Sequence, residues 1–252
     1  MTPTRSKRPP KTTFLEKFSS EITKINYFLW VSLAAYECAV SYRPKSAKRT
    51  NEFISDELAL RLNLGAEEFD RQLTEQSDRL YRLLLVEAIV HYEEYLESII
   101  KEAVSNSWVT PKKSVKISLT LPESGNESEI SASARVEAAK ELAKTIVNAK
   151  YSSRHNELDK LLGIDSTSKS TNDTNHNHLI LAGEFRNSII HCSSLADERT
   201  VKHCGDIIPG LSIGVAIPLT QELLLKLFDA LLSHAKDVDL ILRRKSKGGR
   251  KN

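Results

Sequence analysis

The sequence contains little of what disulfide-bonded, secreted or membrane-spanning proteins depend on. Its 252 residues include three cysteines, nine glycines and eight prolines, and aromatic residues make up 6%. Cys38, Cys192 and Cys204 are odd in number and lack metal-ligand spacing, so we expect reduced, idle thiols in a cytoplasmic protein. The longest apolar stretch, about residues 27–40, is interrupted by Glu37 and is too short to span a bilayer. The basic, proline-rich N-terminus lacks the apolar segment of a secretory signal.

Charge is distributed unevenly along the chain. Residues 1–11 and 243–252 together carry ten of the 36 basic residues and no acidic residue. The region between them keeps 26 basic residues against 33 acidic residues, which is a net charge of −7. Two interpretations of the basic ends stay open, namely flexible arms that contact phosphate groups and plain solubilising tails.

Apolar periodicity predicts a mainly α-helical bundle. We expect Gly163 to end one helix and Thr220 to cap the last one. Alternating residues at 116–121 and 211–217 predict a small β-hairpin, and the polar segment 165–177 predicts a loop. The expected helices cover about residues 13–42, 53–62, 66–107, 132–150, 153–162, 176–193 and 220–243.

The most informative stretch is Glu184-Phe185-Arg186-Asn187-Ser188-Ile189-Ile190-His191, inside one of these predicted helices. One helical turn separates Asn187 from His191, so both lie on one face, and the long side chain of Arg186 can reach the same groove. The imidazole can take or give a proton near neutral pH, and the guanidinium matches phosphate oxygens bidentately. These groups favour cleavage of a phosphodiester by an RNA 2′-hydroxyl, with no metal or other cofactor.

Two carboxylates are candidate supporting residues. Glu184 lies close to the motif, and we expect it either to orient His191 by a hydrogen bond or to pair with Arg186. Glu87 lies in the apolar stretch Leu83–Val90, which we expect to be buried, so its carboxylate needs a partner. We favour a structural lysine or arginine as that partner over Arg186.

Two histidine-containing pairs are weaker candidates. His176 and His178 are two residues apart in a polar segment without carboxylate or thiol partners, so we predict no metal site there. His203 and Cys204 are adjacent in sequence and point in different directions, which makes them a poor site.

Arg-Asn-x-x-x-His resembles the Arg-x(4–6)-His signature of HEPN domains. Residues 86–96, Val-Glu-Ala-Ile-Val-His-Tyr-Glu-Glu-Tyr-Leu, resemble the long early helix of the RiboL-PSP-HEPN-like branch of prokaryotic HEPN ribonucleases. The layout after His191, through Asp197, Gly210 and the last helix, is also similar. The resemblance covers roughly residues 66–242, where it implies a HEPN-like antiparallel helical bundle. Residues 12–65 are then an N-terminal helical extension, and residues 1–11 and 243–252 are basic arms.

The resemblance also implies an activity and an assembly. HEPN ribonucleases usually form homodimers in which two motif helices face each other, so that two arginines and two histidines share one composite cleft. They commonly act as toxins or in phage defence, often with a partner protein encoded nearby. We therefore predict a cytoplasmic, RNA-cleaving homodimer with no membrane association, in which Arg186, Asn187 and His191 are catalytic. The alternative is a non-catalytic HEPN-like module that binds RNA or protein through the same cleft.

Overall fold

The computed structural model describes residues 12–41, 64–109, 127–163 and 174–248. Seven α-helices and no β-strand lie within these ranges, so the mainly α-helical class is confirmed. The helix predicted at 53–62 and the strand predicted at 116–121 lie outside the described residues. The helices are α1 (Thr13–Ser41), α2 (Ala66–Ser105), α3 (Glu127–Val147), α4 (Tyr151–Leu162), α5 (Thr174–His191), α6 (Glu198–Cys204) and α7 (Gln221–Gly248).

Helix α2 is the central element, because it contacts α1, α3, α5 and α7. Its 40 residues include neither proline nor glycine, which lets one continuous helix form where either one or two helices were expected. Side chains at three- and four-residue spacing along α2 enter the core. This buried series comprises Leu84, Leu85, Ala88, Ile89, Tyr92, Tyr95, Leu96, Ile99, Ile100 and Ala103.

The sequence predicted that the stretch from Leu83 to Val90 is buried on most sides. The structure contradicts this prediction. Leu83 is 68% exposed, and Glu87 and Val90 are exposed as well. The helical period of 3.6 residues explains the difference, since a core face that follows Leu84 and Ala88 turns positions 83, 87 and 90 away from it. The prediction of a buried Glu87 is therefore wrong, and its carboxylate needs no protein partner.

Helix α1 packs its N-terminal half against α2 and α7. Its first turn is tied to α7 by the fully buried Asp239, which accepts hydrogen bonds from the Thr12 hydroxyl and from the Thr12 N–H, the latter at 3.2 Å. Helix α1 thus shares one core with the rest of the bundle. None of the helices in the described ranges is long and apolar enough to cross a membrane. The buried stripe of α1 is Leu15, Phe18, Ile22, Ile25 and Leu29.

Two predicted helix ends are confirmed by their backbone geometry. Helix α4 ends at Gly163, whose φ of +64° is left-handed and favours glycine. Thr220 caps α7, because its side-chain oxygen accepts the Leu223 N–H at 3.2 Å. Helix α7 nevertheless continues to Gly248 instead of ending near Arg243, so residues 243–248 of the basic end are helical.

The predicted strand at 211–217 does not form. This segment instead meets the turn after α5, with one antiparallel bridge between Leu195 and Ala216. The Ala196 N–H donates to the Val215 carbonyl at 2.8 Å, and the Ile217 N–H donates to a nearby carbonyl at 3.0 Å. Turns on either side interrupt the alternating pattern before a ladder can extend. The prediction of a β-hairpin is therefore wrong for its second strand, residues 211–217.

Candidate functional site

The predicted motif occupies the last two turns of α5, where its polar side chains approach the surface. Arg186 and Asn187 are half-buried, and His191 is exposed. Nη1 of Arg186 donates to Asn187 Oδ1 at 3.3 Å, so the guanidinium and the amide are in contact. Arg186 Nε is buried and has no hydrogen-bond partner within the described ranges. One end of this helix thus carries a guanidinium, an amide and an accessible imidazole.

The imidazole of His191 belongs to the final residue of α5. No side chain or backbone group of the described residues hydrogen-bonds to it. An exposed imidazole without a fixed partner can exchange protons with solvent or with a bound molecule, which is what a general acid or base must do. Asn187 lies one turn earlier on the same face, as the spacing predicted.

Glu184 contacts residues inside the bundle and not the motif residues. Its carboxylate is 0% exposed and faces α6, where His203 Nδ1 lies 2.9 Å from Oε1 and Arg199 Nη2 donates to the same oxygen at 3.2 Å. Arg199 Nε lies 3.0 Å from Oε2. Glu184 therefore neither orients His191 nor pairs with Arg186, contrary to both expectations. It joins α5 to α6 instead.

Another carboxylate, on α2, lies beside α4. Glu93 Oε1 accepts the Tyr151 hydroxyl at 2.6 Å and Arg154 Nη1 at 2.9 Å. The guanidinium carbon of Arg154 lies 4.0 Å from the centroid of the Tyr151 ring, in cation–π contact. Glu87, the candidate supporting residue on the same helix, is exposed and forms no ion pair with Arg186 or with any other side chain in the described part of the chain.

This cluster touches α5 one turn before Arg186. A Cβ atom at Gly183 would lie 2.0 Å from Cγ of the Tyr151 ring, so only glycine allows α4 to approach this closely. Burial raises the pKa of Tyr151, against the opposing charge of Arg154, so its hydroxyl stays protonated and donates to Glu93. This cluster was not predicted, because 58 and 61 positions of sequence separate its hydrogen-bonded pairs. The one available signal was a glycine inside a predicted helix.

A tight turn fixes the end of α5. Ser193 and Ser194 have positive φ angles of 52° and 66°, which non-glycine residues seldom adopt. Asp197 then begins α6, a helix that the sequence analysis did not predict, by accepting the Thr200 N–H at 2.7 Å and the Thr200 hydroxyl at 2.6 Å. These hydrogen bonds hold the pKa of Asp197 below its usual value. The Asp-x-x-Thr spacing is a capping signal that could have revealed α6.

Cys38, Cys192 and Cys204 are free thiols. Cys192 lies beside the motif, but burial and the neighbouring Asp197 raise its pKa. Cys204 is fully buried, and burial raises its pKa to about 12. Protonated thiols are poor nucleophiles, so neither cysteine competes with the motif as a reactive group.

Away from the motif, a cavity of about 260 Å³ lies between α4, the first turns of α5, and α7. We call it the histidine cleft, because His155, His176 and His234 line it together with Asp159 and Asp237. The ring centroid of His155 lies 5.7 Å from that of His176 and 4.8 Å from that of His234, with both pairs arranged edge to face. Three helices supply these five side chains, which span positions 155 to 237, so no local sequence pattern groups them.

The histidine pair considered in the sequence does not act together. His176 lines the histidine cleft, whereas His178 does not. Burial and the positive charge of Lys226 lower the pKa of His178. Over the residues whose positions are described, no three His, Cys, Asp or Glu side chains are arranged so that they could hold a metal ion. His203, the other weak candidate, is the partner of Glu184.

Comparison with known proteins adds no family to this picture. A scan against protein-family models, a search of curated proteins and a search of solved structures each gave no match. The resemblance to HEPN domains therefore stays a prediction that depends on the residues of this sequence. Chemically, the end of α5 can bind an anionic group through Arg186, hydrogen-bond it through Asn187 and exchange a proton through His191.

Proposed function

We propose that this chain is a metal-independent endoribonuclease of the HEPN type, with Arg186, Asn187 and His191 in its active site. The observation that supports the proposal is the difference in burial among the side chains of α5. Glu184, Phe185 and the other inward residues are buried and packed, whereas the three motif residues approach the surface at one end of the helix. Among the described residues Arg186 hydrogen-bonds to Asn187 and His191 makes no hydrogen bond, which leaves both side chains available to a substrate.

The proposed reaction is attack of a ribose 2′-hydroxyl on the adjacent phosphorus. A base removes the hydroxyl proton, the new P–O bond forms, and the P–O5′ bond breaks as an acid protonates the leaving oxygen. His191 supplies proton transfer, and Arg186 neutralises the charge that builds up on the phosphorane. Asn187, held against Arg186, donates an N–H to the same phosphate. The products are a 2′,3′-cyclic phosphate and a 5′-hydroxyl.

The same step calls for both an acid and a base, and one copy of the motif has one imidazole. We therefore propose a homodimer in which two copies of α5 meet around a shared cleft. Exposed apolar side chains adjoin the motif and favour such an interface, since groups of this kind often mark protein contacts. They are Ile190 beside His191, and Leu195, Ile213 and Val215 in the two segments joined by the backbone bridge.

The proposed biological setting follows from the HEPN resemblance. A nuclease without cofactor requirements needs external control, so we propose a toxin or phage-defence effector restrained by a regulatory partner protein. The body of the chain is acidic, and the basic ends are the segments with the charge to attract RNA. We accordingly propose that the basic ends contribute phosphate contacts.

The proposal is tested by incubating purified protein with total RNA in EDTA and identifying the fragment ends. Wild-type protein is expected to leave 2′,3′-cyclic phosphates. His191→Ala should lower the cleavage rate by about 10²–10⁴-fold, the usual contribution of one general acid–base group. Arg186→Lys should also be impaired, because an ammonium group cannot bind phosphate bidentately.

His178→Ala is the matched control, since it removes an imidazole from the same helix away from the motif. It is expected to cleave like the wild type. Equal cleavage by wild type and His191→Ala would remove His191 from the chemistry. RNA binding without cleavage by a folded dimer would favour the non-catalytic module instead.

A further inference from the structure

The histidine cleft is a cavity lined by both polar and apolar side chains, and the proposed ribonuclease reaction does not use it. Its cavity of about 260 Å³ combines the three imidazole rings with apolar side chains such as Leu179 and Val238. His155 is 2% exposed and forms its inner wall, whereas His176 and His234 are partly exposed. Flat rings beside apolar surface suit a flat heterocycle, because imidazole can stack on a nucleic-acid base.

The exposed carboxylate of the cleft disfavours an anion. Asp159 is almost completely buried in the wall, and Asp237 is exposed at the edge. The Asp237 carboxylate repels a phosphate group, but it can accept a hydrogen bond from an exocyclic amino group, which cytosine and adenine carry and uracil lacks. The cleft therefore favours the base of a nucleotide over its phosphate.

One of the rings is oriented by the core. The Tyr92 hydroxyl oxygen lies 2.7 Å from His234 Nδ1. Burial strongly raises the pKa of Tyr92, so its hydroxyl stays protonated and hydrogen-bonds to this ring nitrogen. A ring held in this way is a preorganised part of the wall and not a mobile surface group.

We propose that the histidine cleft binds an amino-bearing nucleobase, stacked on His176, with its amino group donating to Asp237. The base comes either from a free nucleoside or from an RNA strand. His176 and Asn187 are eleven residues apart on α5, which corresponds to about 16 Å along the helix and a similar facing direction. A strand held at the motif can reach the cleft over that distance, and only this second source rests on the proposed ribonuclease function.

The first experiment titrates the full-length protein with cytidine, adenosine and uridine and measures binding by calorimetry. Cytidine and adenosine should bind about tenfold or more tightly than uridine, as expected for a hydrogen bond to a charged acceptor. Asp237→Ala should abolish that preference. His176→Ala should weaken the binding of cytidine and adenosine by about fivefold or more through lost stacking, whereas the control His178→Ala should leave it unchanged.

The second experiment distinguishes the two sources. Cytidine-rich and uridine-rich oligonucleotides are compared in the His191→Ala background, where cleavage does not interfere. If the protein prefers the cytidine-rich oligonucleotide and Asp237→Ala removes that preference, the site binds RNA. If the protein binds nucleosides but not oligonucleotides, the site binds a free nucleoside.

Equal binding of uridine and cytidine, or no binding of any nucleoside at millimolar concentration, would overturn the proposal. Because binding is measured without cleavage, its failure leaves the ribonuclease proposal untouched. Conversely, base-selective binding by a protein that cuts no RNA would contradict only the ribonuclease proposal.

Discussion

Two sets of polar side chains on α5, the buried Glu184 and the motif residues Arg186, Asn187 and His191, differ in how firmly they are held. Glu184 is completely buried and contacts both Arg199 and His203. Among the described residues Arg186 has one long hydrogen bond, to its sequence neighbour Asn187, and His191 is exposed. Positions two residues apart on the same helix, 184 and 186, therefore have different surroundings.

This difference separates residues that build the protein from residues that can act on another molecule. A buried carboxylate costs free energy unless it is paired, so the partners of Glu184 are explained by stability alone. The motif residues approach the surface, so their side chains can contact a substrate. Substitutions in the two sets should accordingly change different properties, and the following variants test that separation.

The largest expected effect is on stability, from Glu184→Ala. Removing the carboxylate leaves Arg199 and His203 without their partner. We expect a loss of about 3 kcal/mol, the lower end of the range for broken buried ion pairs, because solvent reaches the Arg199 side chain. Glu184→Gln keeps the volume and one acceptor, so its loss should be smaller. Urea denaturation measures the loss in the free energy of unfolding for both variants. A Glu184→Ala protein that is as stable as the wild type but does not cleave RNA would indicate that Glu184 belongs to the active site.

A smaller effect is expected at the turn that follows the motif. Asp197→Ala removes the cap of α6 and should cost about 1–2 kcal/mol at neutral pH. The hydrogen bonds from Thr200 lower the pKa of Asp197 in the folded state, so its contribution is present above the unfolded value of about 4. That contribution is lost as pH falls through the folded pKa. The difference in stability between wild type and Asp197→Ala should therefore shrink in acid.

Asp197→Asn is the matched comparison, since an amide oxygen also accepts hydrogen bonds at a cap. The difference in the free energy of unfolding between Asp197→Asn and Asp197→Ala should not change with pH near pH 4, because an amide does not titrate. A difference between wild type and Asp197→Ala that stayed constant down to pH 2 would show that the ionised carboxylate is not what stabilises the turn.

The smallest stability effect is expected at the exposed His191. His191→Ala should change the free energy of unfolding by no more than about 0.5 kcal/mol, because the ring is exposed and makes no hydrogen bond to the described residues. Thermal and urea denaturation beside wild-type protein measure this change. A loss comparable to that of Glu184→Ala would mean that the buried Glu184 and the exposed His191 do not differ in their contribution to stability as the structure indicates.

Much of the helical framework was predictable, because helix signals are local. The cap at Thr220, the left-handed Gly163 and the uninterrupted run of α2 each depend on a few neighbouring residues. The errors at Glu87 and Glu184 have a different origin. Apolar neighbours in sequence did not show which side of α2 would face the core, and the partners of Glu184 lie on α6, a helix that was not predicted.

The sequence by itself determined the mainly helical class, the positions of most helices and the placement of Asn187 and His191 one turn apart. These properties depend on backbone geometry that repeats every 3.6 residues. Only the tertiary structure decided that Glu184 joins α6, that Glu93 holds Tyr151 and Arg154 against α5, and which side chains form the histidine cleft. Each of these contacts requires segments far apart in the chain to pack together, and the free energy that selects them comes from the burial of the whole core.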